Sequence, residues 1–416
     1  MVAKIASSPI VHPRNEEDAN ARFLCLNTAV TGVSTGGIVA FLPVFLARIG
    51  ANPTLMSWVT SAPALVASCF LIPGAIVAER SRNQVRVRVI AAQMVRWSFL
   101  ICALLPFLVR DNGLLAITLL IVWTAKTLPD AVAIPAWTSV MARAISPRRR
   151  AQLNGTRWAL LSLVTAISSV VFGWLLDHIA FPYNYQLVFF ISFALAMLDP
   201  YFFSRIRLPE VAAPPTEPQD SLLKRAATYV GPVFRHKPFV LFLMATTLYR
   251  VALNMPAPLF TLFWVNELRA PDTLIGLRGT VGYAALMVGY TFWGNKANKF
   301  GHRKMLFISA IGVGLYAIMT ALSPSAIWLL PAAVVWGSMA AGIDLGLFDL
   351  MLECCPGERQ PLFAAFWSLA ANLAVFIGPL IGARISGVTS LPTALIVAGL
   401  AQIVTTVGFF ALPKDA

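Results

Sequence analysis

Residues 147–173 read PRRRAQLNGTRWALLSLVTAISSVVFG, and residues 356–382 read PGERQPLFAAFWSLAANLAVFIGPLIG. In each stretch a short polar segment leads into a long apolar run. Four positions recur at a fixed offset of 209, so that Pro147, Arg150, Trp158 and Gly173 match Pro356, Arg359, Trp367 and Gly382. Because the chain has 416 residues, this repeat divides it into two similar halves. The duplication predicts two similar helical bundles that can move against each other.

The composition predicts a membrane protein. Hydrophobic residues make up 58% of the chain and charged residues 12%, and the mean hydropathy is +0.74. A soluble domain usually carries about 25% charged residues. A soluble fold of this length could not bury so much apolar surface, so a soluble globular protein is excluded.

Twelve apolar runs are long enough to cross a bilayer as helices, since each has the roughly 20 residues that this requires. They lie at about 22–46, 54–77, 87–109, 114–141, 155–176, 185–204, 239–266, 273–293, 303–322, 327–351, 362–386 and 391–411. Alternating segments of about ten residues, typical of a membrane β-barrel, are absent. We therefore predict an all-α membrane protein with twelve transmembrane helices in two pseudo-symmetric six-helix halves.

The runs also predict the domain organisation. Residues 1–21 form a tail, 22–204 the first half, 205–238 a central loop, 239–411 the second half and 412–416 a second tail. Dense prolines prevent a continuous helix early in the central loop. Its part at 221–234 is either an amphipathic helix on the membrane surface or a simple tether.

The net charge of +14 reflects membrane topology rather than nucleic-acid binding. If the N-terminus is inside, 24 of the 32 basic residues fall in inner segments. The five in outer segments are Arg48, Arg110, Arg269, Arg278 and Arg384. This bias predicts a multi-pass protein of the inner (plasma) membrane with both termini cytoplasmic. It also predicts contact with membrane lipid and no nucleic-acid partner.

Five ionisable side chains fall well inside the spans: Arg96, Lys126, Asp130, Arg250 and Asp344. Each costs about 2.5–3.5 kcal/mol at mid-bilayer on insertion scales, so each must face the protein interior. Lys126 and Asp130 are four apart and can pair on one helix face. We expect Arg96 to anchor a network near the inner side.

Other polar and small residues near the spans allow further predictions. Asp199, Asp349 and Glu353 stand at span ends, where we expect them to be solvated. Two glycine pairs at a spacing of four predict close helix packing, and they are Gly32 with Gly36 and Gly378 with Gly382. Five tryptophans either stack a flat ligand or anchor the membrane interface, and they are Trp123, Trp137, Trp264, Trp293 and Trp336.

Twelve spans in two copies with a long central loop resemble the major facilitator superfamily of secondary transporters. That family carries the signature Gly-x-x-x-Asp-Arg-x-Gly-Arg-Arg after its second helix and often a weaker copy after its eighth. Here the later copy is better, with Gly294, Asn298, Lys299, Gly301 and Arg303 at signature positions and Asn298 in place of the aspartate. In the earlier copy Glu79 and Arg80 keep the acidic–basic pair. The resemblance implies that these seven residues form an inner-loop gate, whereas plain positive-inside charge is the alternative.

In the resembled family, helices one, four, seven and ten line the central cavity. The resemblance therefore implies a substrate and proton site, formed by Asn27, Thr31, Lys126, Asp130, Arg250, Asn254 and Asp344. The hydroxyls of the first helix could instead bond back to their own helix. The charges have two interpretations as well. Either Arg250 and Lys126 bind an anionic or zwitterionic substrate while Asp130 or Asp344 exchanges a proton, or Lys126–Asp130 and Arg250–Asp344 are fixed pairs.

Enzymatic motifs are absent from the sequence: it has no His-Glu-x-x-His helix, no phosphate-binding Gly-rich loop and no nucleophile elbow. We predict no catalytic residues, no cofactor and no metal, since no histidine accompanies Cys354 and Cys355. The predicted function is secondary transport of a small molecule by alternating access, coupled to a proton or another ion. The cargo is polar, anionic or amphiphilic, and we expect a monomer. The direction of transport is open, and the alternative is a non-transporting assembly factor or sensor.

Overall fold

The structure, a computed structural model, describes residues 13–208, 233–355 and 360–412. These residues form twelve helical rods, which confirms the predicted fold class. The rods are α1 Glu16–Arg48, α2 Pro53–Arg80, α3 Gln84–Leu108, α4 Asn112–Ala144, α5 Pro147–His178, α6 Tyr183–Ser204, α7 Lys237–Glu267, α8 Asp272–Phe300, α9 His302–Ala321, α10 Leu329–Cys354, α11 Gln360–Val388 and α12 Leu391–Thr405. Pro356, Arg359 and nearly all of the segment 221–234 lie outside the described residues.

Most of the rods have the length and composition of a membrane span. Among the described residues ten qualify by themselves, and α2 makes an eleventh if its two parts, Pro53–Phe70 and Ile72–Ala78, are taken together across a bend of 56°. The helix α8 is absent from this set. It carries Arg278 and several glycines within its apolar stretch, which lower its hydropathy.

Several of these helices begin at capping side chains or at prolines of the first turn. Five of the described helices start at a side chain that accepts a hydrogen bond from a backbone N–H of the first turn, namely Asn15, Asn52, Asn83, Asp111 and Ser390. Such caps satisfy donors that have no partner within the helix. Proline stands in the first turn of α5, α7 and α12, where its missing N–H costs nothing.

Two of the rods contain a π-helical turn. The turn in α1 spans Thr35–Val39 and includes Gly37, whose φ of −99° and ψ of −108° are not helical. The turn in α7 spans Phe263–Glu267 and follows a break in the helix at Pro256. Such turns occur mostly as single-turn bulges, frequently at functional sites.

By their contacts the described residues divide into two compact units. The first unit holds the residues up to Phe45 and those from Cys69 to 208. In it α1 packs against α5, and α3 packs against α4 and α6. A Cβ on Gly32 would lie 2.9 Å from Val164 Cβ, and one on Gly36 would lie 2.5 Å from the Thr165 oxygen. The predicted close packing of this glycine pair is confirmed.

The second unit holds Leu46–Ser68 and the described residues from 233 onward. Its core is built by α8, α9, α10 and α12, and α7 packs against α11. A Cβ on Gly378 would lie 2.6 Å from the Val251 oxygen, and one on Gly382 would overlap the Met255 oxygen. This glycine pair therefore also marks a close helix contact, as predicted.

The segment Leu46–Ser68 is tied to the rest of the second unit by polar contacts. Arg48 pairs with Asp272 at 3.1 Å and donates a hydrogen bond to the Ala270 oxygen at 2.7 Å. Ser61 Oγ donates a hydrogen bond to the Phe376 oxygen at 2.7 Å.

Candidate functional site

The second unit contains an open cavity of about 520 Å³ among α7, α8, α9 and α10. Its volume is typical of small-molecule sites, which are commonly about 300–1,000 Å³. Most of the lining is apolar. The charged groups in the lining are Arg278 and Asp344, and aromatic rings stand beside them. An apolar cleft with a few polar groups is the usual form of a ligand site.

Arg278 is enclosed by aromatic rings. Its guanidinium carbon lies 4.7 Å from the ring centre of Trp264, 5.3 Å from Trp336 and 5.4 Å from Tyr316. Its Nη2 donates a hydrogen bond to Tyr316 Oη at 2.5 Å. Arg278, counted among the outer segments from the distribution of charges, lies in the second turn of α8 and lines the cavity.

Trp264 reaches Arg278 from the π turn of α7. The indole is buried and stacks on Phe260 with ring centres 6.0 Å apart. Because a π turn changes the direction of the side chains that follow it, the position of Trp264 could not be read from regular helical spacing.

Asp344 provides the carboxylate of the cavity. It is exposed to the cavity and accepts a hydrogen bond from Tyr290 Oη at 2.7 Å. Arg250 and Asp344 interact electrostatically, but among the described residues no ion pair within 4.0 Å joins them, so the structure does not show the hypothesised fixed pair. The guanidinium of Arg250 instead lies 4.7 Å from the ring centre of Trp367, and Asn254 Nδ2 donates to the Arg250 oxygen at 2.7 Å.

In the first unit Lys126 and Asp130 form the predicted pair, with Nζ and Oδ2 3.3 Å apart. Lys126 stands where α4 breaks between two helical segments, and its ammonium lies 4.4 Å from the ring centre of Trp123. Both side chains keep some exposure, 17% for Lys126 and 31% for Asp130. The pair therefore remains accessible to solvent or to a ligand.

Asp199 forms a buried charge cluster with three residues of the first unit. Its carboxylate has no solvent exposure and lies 2.5 Å from Arg96 and 3.5 Å from Arg88. Asn27 Nδ2 also donates to it. The expectation that Asp199 is solvated was wrong, because α3 brings two arginines against the end of α6. The expected network at Arg96 is confirmed.

Asn27 and Thr31, the predicted site residues on α1, already form hydrogen bonds within the protein. The amide of Asn27 bonds to Asp199, and Thr31 Oγ1 donates to the Asn27 oxygen at 3.0 Å within its own helix. A substrate contact by either residue remains a prediction of the sequence.

The five tryptophans make contacts with other residues of their own unit. Trp123, Trp264 and Trp336 contact cationic side chains, as described above. Trp137 lies under Arg157 at 4.4 Å, and Trp293 Nε1 donates to the Ser338 oxygen at 2.9 Å. Ligand stacking and interface anchoring both remain predictions for these tryptophans.

The family model described as Major Facilitator Superfamily matches residues 24–253 and 242–416. The chain belongs to the major facilitator superfamily. The predicted family and fold are confirmed, and membership places the chain among transporters rather than enzymes.

Curated proteins align with parts of the chain. The uncharacterized MFS-type transporter YuxJ of Bacillus subtilis (strain 168) is 25% identical over 218 residues, which cover 51% of this chain and 54% of that protein. The synaptic vesicle 2-related protein of Xenopus laevis is 28% identical over 149 residues, covering 34% of this chain and 26% of that protein. The chain spans about a quarter to a half of the length of these relatives.

Solved structures of superfamily transporters match nearly the whole chain. A POT family transporter in complex with 5-aminolevulinic acid has a TM-score of 0.75 at 14% identity, over 94% of this chain and 95% of that one. The nucleoside transporter NupG has a TM-score of 0.71 at 12% identity, over 95% and 98%. At such low identities the likeness concerns the fold alone.

The second copy of the superfamily signature is tightly folded between α8 and α9. Gly301 has a φ of 75°, a conformation that favours glycine and gives the tight turn expected from the signature. Arg303 donates to the Phe410 oxygen and lies over the Phe410 ring at 5.3 Å, so it fastens the start of α9 to the helical turn that follows α12. Gly294 has open space where a Cβ would be.

The other signature positions are only partly described. Arg80 is exposed at the end of α2. The backbones of Glu79, Asn298 and Lys299 are helical, while their side chains lie outside the described part of the structure. A gating role for these residues remains a prediction.

Proposed function

We propose that the chain is a secondary transporter that moves a polar, anionic or amphiphilic small molecule by alternating access, coupled to protons. The observation that carries the proposal is the cavity of the second unit, in which Arg278 and Asp344 line a largely apolar space. A cation and a carboxylate in such a space can hold a charged cargo and exchange a proton. The distribution of basic residues supports a plasma-membrane location with both termini cytoplasmic.

Asp344 is the first candidate for the proton carrier. Burial favours the neutral form of a carboxyl group, whereas a nearby cation or hydrogen-bond donor favours the charged form. Tyr290 donates to Asp344, and the positive charges nearby are Arg250 and Arg278. A cargo that engages these cations changes the balance, so filling and emptying the site can take up and release a proton. Asp130, paired with Lys126, is the second candidate.

Asp344→Asn is expected to abolish uptake driven by a pH gradient while exchange of cargo across the membrane continues, because an amide fills the space but carries no proton. The measurement uses proteoliposomes with an internal pH dye and a panel of organic anions, zwitterions and amphiphilic cations. Asp130→Asn is measured in parallel.

Asp349→Asn is a matched control on the same helix, since Asp349 contacts His302 at 2.9 Å and does not line the cavity. It should keep gradient-driven uptake. Full gradient-driven uptake in both Asp344→Asn and Asp130→Asn would contradict the proton-carrier assignment.

A further inference from the structure

We infer that the cavity of the second unit binds a planar aromatic carboxylate, with the guanidinium of Arg278 holding the carboxylate group. This inference rests on the proposed function and narrows its cargo. It depends on three features of the cavity: an unpaired cation, an excess of hydrogen-bond donors, and aromatic walls.

The positive charge of Arg278 is not neutralised by the described residues. No carboxylate among them lies within 4.0 Å of it, and the nearest lining carboxylate, Asp344, accepts its hydrogen bond from Tyr290. A cation kept from water in a membrane protein needs an opposite charge. An anionic cargo supplies it.

The unsatisfied polar atoms around the cavity are donors. Among the described residues that line the cavity, two have a buried side-chain nitrogen without a hydrogen-bond acceptor: Nε of Arg278 and Nε1 of Trp264. Buried polar atoms are normally satisfied, so such a group requires an explanation. A carboxylate offers two acceptor oxygens and no donor, whereas an ammonium group offers only donors. The donor excess therefore favours an anion over an organic cation.

The walls fit a flat ring. The guanidinium of Arg278 lies over three aromatic rings, and its Nη2 already donates to Tyr316 Oη. A carboxylate can accept charge-assisted hydrogen bonds from the N–H groups that remain. Beyond the three rings Phe260 and aliphatic side chains complete the lining. An aromatic body can pack along these surfaces while its carboxylate reaches Arg278.

The test measures binding of 1-naphthoate to the purified protein by calorimetry, with the neutral 1-naphthamide and the non-aromatic cyclohexanecarboxylate as comparison ligands. We expect 1-naphthoate to bind more tightly than either. Arg278→Gln should weaken its binding on the order of 10- to 100-fold, the usual size of a charge-assisted hydrogen-bond loss. Arg278→Lys should restore part of the affinity, because it keeps the charge but loses the planar fork.

Two further variants complete the test: the first is a control for a general effect of removing an arginine, and the second tests the indole N–H of Trp264. Arg384→Gln makes the same change at an exposed arginine of the same unit and should bind 1-naphthoate as wild type does. Trp264→Phe keeps a ring but removes the indole N–H, and it should weaken binding several-fold. Equal binding of 1-naphthamide and 1-naphthoate, or wild-type affinity in Arg278→Gln, would overturn the inference.

The outcome separates this inference from the proposed function. Proton-coupled uptake of a cationic compound, without binding of 1-naphthoate, would support transport and overturn the carboxylate site. Arg278-dependent binding of 1-naphthoate without any flux in proteoliposomes would support the site and count against the transport proposal.

Discussion

Replacing Asp199 with asparagine is expected to lower the free energy of unfolding by about 3–5 kcal/mol, the usual cost of removing one partner from a buried ion pair. The reason is the two arginines that would remain. Arg96 lies 2.5 Å and Arg88 3.5 Å from a carboxylate that has no solvent exposure, so both guanidinium groups would lose their counter-charge. The amide introduced at this position could still accept a hydrogen bond but would not neutralise them.

The measurement is the thermal unfolding of the purified protein in detergent. Glu16→Gln is the matched control, because Glu16 forms an exposed pair with Arg207 at 3.7 Å in the same unit, and such pairs contribute little. Adding Arg88→Gln to Asp199→Asn should recover part of the loss by removing one uncompensated charge. If Asp199→Asn unfolded at the same temperature as Glu16→Gln, the role assigned to the cluster would be wrong.

Gly382→Ala is expected to destabilise the protein by about 3 kcal/mol or more, at the upper end for overpacking. The added Cβ would overlap the backbone oxygen of Met255, and 2.8 Å away it would meet the carbonyl carbon of the same residue. Backbone cannot turn aside as a side chain can, so α7 and α11 would have to separate. The direction of the change in stability is informative, because alanine in place of glycine otherwise stabilises a helix by about 1 kcal/mol.

Gly387→Ala provides the comparison on the same helix. A Cβ there would meet nothing within 4 Å, so the unfolding temperature should stay the same or rise slightly. Both variants are measured by thermal unfolding and by the yield of monodisperse protein. A Gly382→Ala protein as stable as Gly387→Ala would contradict the close contact between α7 and α11.

Much of the fold can be predicted from the sequence because its main signals are local. Apolar runs of membrane length give the helices, and the repeat of Trp158 and Gly173 at Trp367 and Gly382 gives the two halves. The Lys126–Asp130 pair is local as well, since two residues four apart meet on any regular helix.

The groups that the sequence analysis misplaced depend on contacts between distant segments. Asp199 is buried because α3 packs on α6 and carries two arginines to it, and no spacing within α6 indicates this. Arg278 stands near the start of its apolar run, so the distribution of charges placed it among the outer segments. Only its three aromatic neighbours, which come from α7, α9 and α10, identify it as a cavity residue.

The π turns at Thr35–Val39 and Phe263–Glu267 have a consequence for how related chains are aligned. A π turn closes with a bond from residue i to i+5, so it stores one residue more than the α turn that could replace it. A relative with an α turn at this place has one residue fewer, yet its side chains after the turn point in the same directions as here. If the two sequences are aligned without a gap, each residue after the turn is paired with one that lies about 100° away around the helix. Single-residue gaps therefore belong at these two turns, and an ungapped alignment would compare the wrong faces of both helices.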